Sequence, residues 1–152
     1  MNKKRILLAR PNSFIVKSMK KLIEDAGYIP TPLESLDQIA GYSASEIGGF
    51  VISTGVSSVV KASYSETIIN AIATHPDRPI LLASLIDPEL VKSTVFRKFK
   101  DQSLERKMLS ISEGSELNRL SAQDHILILE KKDIVDEEKF PNTLATVRKF
   151  FV

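Results

Sequence analysis

The sequence predicts a doubly wound α/β domain built on a mainly parallel, five-stranded sheet. Short apolar runs alternate with amphipathic stretches along the whole chain, and this alternation is typical of parallel strands joined by helical crossovers. The apolar runs are also nearly uninterrupted. Such runs indicate strands that are covered by helices on both faces of the sheet.

Five segments carry the strand pattern. Four of them are continuous apolar runs. The second is weaker, because Pro30 and Pro32 have no amide hydrogen to donate, and we expect it at a sheet edge. In chain order, the predicted strands cover residues 5–9, 28–33, 50–52, 79–85 and 125–129.

Helix signals lie between these strands. Ser63 and Glu66 have the spacing of a capping box at a helix start. The segment 87–89 (Asp-Pro-Glu) supplies a cap, a first-turn proline and a first-turn acid. Further helices are predicted over residues 15–26, over residues 35–42, where the helix is short, and behind Pro141.

The interval between the fourth and the last strand is longer than one crossover requires. Residues 101–121 are therefore interpreted as an insertion in an otherwise single domain that covers residues 1–152. Within the insertion, residues 107–112 alternate apolar and polar side chains, as a short extra strand would. Residues 115–120 are interpreted as a helix.

Composition excludes several classes of function. The chain of 152 residues has no cysteine, so it can build no disulfide, thiolate metal site or cysteine nucleophile. No apolar stretch approaches the length of about eighteen residues that a membrane span needs. A formal net charge of +2 is too small to indicate nucleic acid. We therefore expect a cytoplasmic protein that binds neither a membrane nor nucleic acid.

Functional residues are expected at the carboxyl ends of the strands, where open parallel sheets bind their ligands. The segments at these ends are Arg10-Pro11-Asn12, Ser53-Thr54-Gly55, Ser84-Leu85 and Glu130-Lys131-Lys132.

Several motifs resemble the receiver domain of bacterial two-component response regulators. KRILLARPNSFIVKSMKKLIEDAGY has the spacing of a receiver's first strand, acidic turn, first helix and second strand. GGFVIST is similar to the strand that carries the phosphoacceptor aspartate, and RPILLAS to the strand that ends in Ser or Thr. EKK after HILIL lies where receivers place a lysine, and DEEKFPNTLATVRKFF resembles their last helix. The resemblance implies a receiver-like, flavodoxin-like fold with an insertion before the last strand.

The chain departs from this family where phosphorylation would occur. Receivers hold a divalent cation with two acidic residues after the first strand, but this sequence has Arg10 and Pro11 there, followed by Asn12. The phosphoacceptor position falls on Ser53 or Thr54, and neither can form an acyl phosphate. We therefore expect no bound metal, no cofactor and no catalysis.

Two family elements remain. The resemblance implies that Ser84, and Lys131 or alternatively Lys132, would contact a phosphoryl group and couple its arrival to an output face. The alternative is that Ser84 only satisfies a strand end and that the lysine is solvated.

The sequence therefore predicts a phosphorylation-independent pseudo-receiver that acts as a protein-interaction or scaffold module in bacterial signalling. Its partner would be another protein or a second copy of the chain, and the apolar end Phe150-Phe151-Val152 is the expected interaction surface. The alternative is a domain that binds a small anion or a phosphate-bearing metabolite through Arg10, Lys131 and residues 53–58.

Overall fold

A sheet of six strands forms the centre of the protein, as seen in a computed structural model. The structure describes residues 4–9, 15–43, 45–54, 63–76, 78–101, 107–110 and 125–151. The strands are β1 (Arg5–Leu8), β2 (Ile29–Pro32), β3 (Ile47–Ser53), β4 (Ile80–Ser84), β5 (Lys107–Ser110) and β6 (His125–Glu130).

All neighbouring strands are parallel, in the order β2-β1-β3-β4-β6-β5. The predicted parallel α/β sheet is confirmed, and a sixth strand joins the predicted five where a short extra strand was expected over residues 107–112. The additional strand is β5, inside the predicted insertion, where Lys107 is paired with His125. After β4 the chain therefore first forms β5 at the edge of the sheet. It then returns to form β6 between β4 and β5. The predicted helix over residues 115–120 lies outside the described residues.

Helices cover both faces of the sheet. A π-helical turn (Ile15–Met19) leads into α1 (Lys20–Asp25), and a 3₁₀ helix (Leu36–Gly41) follows β2. The remaining helices are α2 (Tyr64–Thr74), α3 (Pro88–Asp101), α4 (Lys131–Val135) and α5 (Phe140–Phe150). None of the helices in the described segments is long and apolar enough to cross a bilayer.

Two apolar layers form the core, because successive strand residues point to opposite faces. One layer packs Phe50, Ile52 and their neighbours against the 3₁₀ helix, α2 and α3. The other packs Val51, Leu81 and their neighbours against α1, α4 and α5. All seven residues of β3 and all five of β4 are buried, which accounts for the uninterrupted apolar runs in the sequence.

The capping signals mark two helix starts. The Ser63 hydroxyl accepts a hydrogen bond from the Glu66 amide at 3.2 Å. The Asp87 carboxylate accepts one from the Glu89 amide at 2.9 Å. Gly27 ends the first helix with φ of +96°, a conformation that favours glycine.

The expected interaction surface at the C-terminus is wrong for two of its three residues. Phe150 and Phe151 are only 2% and 4% exposed. The Phe151 ring meets Tyr28 edge to face, with 5.8 Å between ring centroids, and packs in the layer formed by α1 and α5. These aromatic side chains are part of the core and do not form a docking surface. Val152 lies outside the described residues.

Gly49 makes the burial of Phe151 feasible. A Cβ atom at this position would lie 2.6 Å from the Cε1 atom of Phe151 and 2.6 Å from the carbonyl oxygen of Pro79. Neither neighbour can withdraw easily, because one is a buried ring and the other is backbone. The absence of a side chain in the middle of β3 is therefore a packing requirement.

We expect Gly49→Ala to lower the free energy of unfolding by about 2–3 kcal/mol, because overpacking forces the ring and the strand apart. Gly41→Ala is the matched control, since a Cβ there meets no atom within 4 Å. The control should stay within about 0.5 kcal/mol of the wild type. Urea denaturation of the three proteins measures both values, and equal stability of the two variants would contradict the packing of Phe151 on β3.

Candidate functional site

The carboxyl ends of the central strands form the edge at which the sequence places the site. In the sheet, β1 lies between β2 and β3. The chain passes from β1 to β2 on one side of β1 and then crosses to β3 on the other side, so the strand order reverses at β1. The described residues at this edge include Ala9, Thr54, Ser84 and Glu130. The predicted site residues Arg10, Pro11 and Asn12 lie outside the described residues.

Ser53 and Thr54 differ in their surroundings. Ser53 is the last residue of β3, is paired in register with Ala83 and is fully buried. Thr54 follows the strand and is half-buried. Its amide donates to the Ala83 carbonyl at 3.1 Å, and its hydroxyl accepts a hydrogen bond from the Leu85 amide at 2.9 Å. Thr54 therefore connects the end of β3 to the loop that follows β4.

Ser84 uses its hydroxyl within its own loop. The hydroxyl donates to the Ile86 carbonyl at 2.6 Å and accepts from the Ile86 amide at 3.2 Å. The side chain is only 2% exposed. Both hydrogen-bonding roles of this hydroxyl are thus occupied in closing the turn between β4 and α3, which is the structural role that the sequence left as an alternative.

The strand register and the first turn of α4 place the residues around the predicted lysine position. Glu130 is the residue level with Ser84 in the strand register. Lys131 comes one residue later, in the first turn of α4, and its side chain is exposed. Lys132 is exposed as well and lies 3.3 Å from the Glu130 carboxylate as an ion pair. Glu130 is therefore the last residue of β6, and Lys131 and Lys132 both belong to α4.

Beside the hydroxyl groups of Thr54 and Ser84, this edge of the sheet exposes apolar side chains. Leu85 and Ile86, which follow Ser84, are 44% and 40% exposed, and Leu90 in the first turn of α3 is 54% exposed. Large apolar side chains with such exposure are more frequent at protein-binding surfaces than in a polar ligand pocket.

The described residues at this edge include no group of side chains that could hold a metal ion. Within the described ranges, no three His, Asp or Glu side chains are grouped so that they could hold a metal ion. The anion-binding alternative depends on Arg10, Lys131 and residues 53–58, of which Ser53, Thr54 and Lys131 are described.

Asp133 is a residue at this end of the sheet that the sequence analysis missed. Its carboxylate accepts a hydrogen bond from the Glu130 amide at 2.8 Å, and its carbonyl accepts one from the Thr143 hydroxyl at 2.6 Å. Asp133 therefore ties the end of β6 to α4, and α4 to α5. The three-residue spacing of Glu130 and Asp133 directly after an apolar run is a helix-start signal that could have indicated it.

The Asp133 side chain is only 5% exposed. Burial raises the pKa of this carboxyl above its ordinary value of 3.8, although the bond from the Glu130 amide acts in the opposite direction. Since its pKa is higher in the folded than in the unfolded state, the folded state binds the proton more tightly. The ionised form therefore lowers stability at neutral pH, and this cost disappears as the pH falls through the raised pKa toward 3.8.

We expect Asp133→Asn to be at least as stable as the wild type at neutral pH, because it removes the buried charge and keeps an acceptor oxygen. Its advantage should shrink as the pH approaches about 4. Asp133→Ala should be less stable than Asp133→Asn by about 1 kcal/mol, because the Glu130 amide loses its acceptor. Urea unfolding at the two pH values tests this, and an Asn variant whose advantage grows toward acid pH would refute it.

Comparison with known proteins found a similar fold but no matching family and no matching curated protein. No family model matches the sequence, and no curated protein matches it. Among solved structures, the chain is similar to the crystal structure of a response regulator receiver protein from Sinorhizobium medicae WSM419. The TM-score is 0.59 at 15% sequence identity, and the match covers 99% of this chain and 98% of that chain. This likeness shows that the chain has a receiver-like fold.

Proposed function

We propose that the protein is a pseudo-receiver, that is, a receiver-like domain that works without phosphorylation and binds another protein in cytoplasmic signal transduction. The observation that carries the proposal is the hydrogen bond between the Thr54 hydroxyl and the Leu85 amide. It lies at the end of β3, where the family resemblance would put an aspartate.

The chemistry at the end of β3 supports this proposal. An acyl phosphate requires a carboxylate, whereas Ser53 and Thr54 carry hydroxyls. The resemblance also implies two acids after β1 that would hold a divalent cation, and the sequence has Arg10 and Pro11 in that segment. A guanidinium repels a cation and proline offers no side-chain oxygen.

The hydrogen bonds at the edge also support a domain with one fixed state. In the family, the hydroxyl that ends the fourth strand would respond to a phosphoryl group. Here the Ser84 hydroxyl is already bound to both backbone groups of Ile86, and the Leu85 amide is bound to Thr54. The loop after β4 is therefore held in place by the protein's own groups, with the apolar side chains of Leu85 and Ile86 exposed.

Incubation with acetyl phosphate and magnesium, followed by intact mass measurement, tests the proposal. We expect no gain in mass, because the chain has no carboxylate in the phosphoacceptor segment. An active receiver domain treated in parallel should gain one phosphoryl group and serves as the control for the reagent. A stable gain of one phosphoryl group on this chain, mapped to the edge of the sheet, would refute phosphorylation independence.

A second test addresses the Thr54 contact itself. Thr54→Val keeps the shape of the side chain but removes the acceptor, so the Leu85 amide should exchange its hydrogen faster, with a loss of stability of about 1 kcal/mol. Thr54→Ser retains the hydroxyl and should protect Leu85 as the wild type does. Hydrogen exchange followed by NMR measures the protection of this amide. Equal protection in both variants would show that the hydroxyl does not hold the loop.

A further inference from the structure

The small net charge of the chain conceals an uneven distribution along the sequence. Residues 92–107 include six basic and two acidic residues, so this stretch carries a net charge of +4. Because the whole chain carries only +2, all other residues together carry −2. The positive charge is therefore concentrated in one stretch of the chain, and the small overall charge does not exclude a polyanionic ligand at this one place.

Helix α3 displays part of this charge on its outer surface. The residues that α3 buries against the sheet are Val91, Val95 and Phe99. Four exposed residues share the face of the helix that points away from the sheet, with the spacing i, i+3, i+4 and i+7: Ser93, Phe96, Arg97 and Lys100. Residues with this spacing are neighbours on a helix surface. These four residues are named the outer stripe of α3.

The aromatic ring of the outer stripe lies in solvent between cations. Phe96 is 63% exposed and is the most exposed large apolar side chain of the described residues. None of the ring contacts among the described residues involves Phe96. Arg97 is the next residue, and Lys100 follows one helical turn later. The faces of this ring are therefore open to a ligand that also meets two positive charges.

The cations of the outer stripe are not neutralised by the carboxylates that the structure describes. Asp101 lies one helical turn beyond Arg97, but no ion pair joins these two described residues. The ion pair of α3 is the one between Lys92 and Glu89 at 3.5 Å, nearer the start of the helix. Lysines in the last turn also stabilise a helix through its dipole, but that role does not need an exposed aromatic ring beside them.

We propose that the outer stripe of α3 binds single-stranded nucleic acid, with a base stacked on Phe96 and phosphates beside Arg97 and Lys100. Bases stacked on aromatic side chains beside cations are typical of proteins that bind single strands without reading their sequence. An unpaired base has a free face for the ring, whereas a base inside a duplex is already stacked. This binding is a further activity of the domain and does not depend on the proposed pseudo-receiver function.

Two other anionic partners fit the outer stripe less well. A bilayer surface is bound by several apolar side chains at the same level. Leu90, the other large exposed apolar residue of α3, lies about 9 Å away along the helix axis and next to Glu89. An acidic peptide would pair with Arg97 and Lys100, but its carboxylates would be repelled by the negative face of the Phe96 ring.

Fluorescence anisotropy of a labelled oligothymidylate of about fifteen nucleotides, titrated with the full chain, tests the stacking contact. We expect Phe96→Ala to bind at least about fivefold more weakly than the wild type, which is the loss expected for one stacked base. Phe96→Leu keeps apolar surface without an aromatic face and should lose as much. Phe96→Tyr keeps the face and should bind as the wild type does.

Charge reversal tests the phosphate contacts. The Arg97→Glu, Lys100→Glu double variant should bind at least about tenfold more weakly. Its slope of log binding constant against log salt should be shallower by about 1.4, because each lost phosphate contact removes about 0.7. The matched control is the Lys17→Glu, Lys21→Glu double variant, which makes the same change in net charge with exposed lysines. Those lysines belong to the helical segment on the other face of the sheet, and we expect binding by this control to weaken less than about threefold.

Several results would overturn the proposal. They are no binding by the wild type, equal losses in the two double variants, and unchanged binding by Phe96→Ala. Equally tight binding to a duplex of the same length, to polyglutamate or to vesicles that contain phosphatidylglycerol would also overturn it. These three ligands carry negative charge but present no unpaired base, so the wild type should bind each of them more weakly than the oligothymidylate.

Discussion

Both faces of the central strands must be covered, and the rest of the structure depends on this constraint. β3 and β4 are buried along their whole length, with apolar side chains on both sides. A parallel sheet of this kind needs a helical layer on each face. The two layers leave the carboxyl ends of the strands as the place where backbone and polar groups meet solvent. The position of the candidate site thus follows from the way the core is covered.

The same constraint explains why the end of the chain belongs to the core. The layer over α1 is completed by Phe150 and Phe151, and Phe151 comes so close to β3 that a glycine is needed beneath it. α4 closes the layer between β6 and α5, where Asp133 and Thr143 connect the two helices. Apolar residues such as Phe150 and Phe151, which follow the apolar face of the last helix, therefore do not by themselves indicate a docking surface. The large exposed apolar side chains of the described residues lie in the loop after β4, on α3 and at the end of α4.

Much of the fold could be predicted from the sequence, because buried strands and capped helices leave local signals. The runs at β1, β3, β4 and β6 and the caps Ser63 and Asp87 are of this kind. The burial of Phe151 could not be predicted, since it depends on Gly49, which is far away in the sequence. α4 has only five residues and is too short for helical periodicity. At the site, the segments Ser53-Thr54 and Ser84 were predicted, but their hydrogen-bond partners arise only when separate strands end side by side. The position of Glu130 level with Ser84 follows from strand register, which the sequence alone did not reveal.

In the proposed pseudo-receiver, the Thr54 hydroxyl and the Leu85 amide occupy the place of a phosphorylation switch. The most direct measurement is a set of ¹H–¹⁵N NMR spectra of the chain with and without magnesium and beryllofluoride, which mimics an acyl phosphate on a carboxylate. We expect the amide resonances of Thr54, Leu85 and Ile86 to keep their positions in all four spectra. A second set of resonances for these three amides, appearing only when both reagents are present, would contradict it.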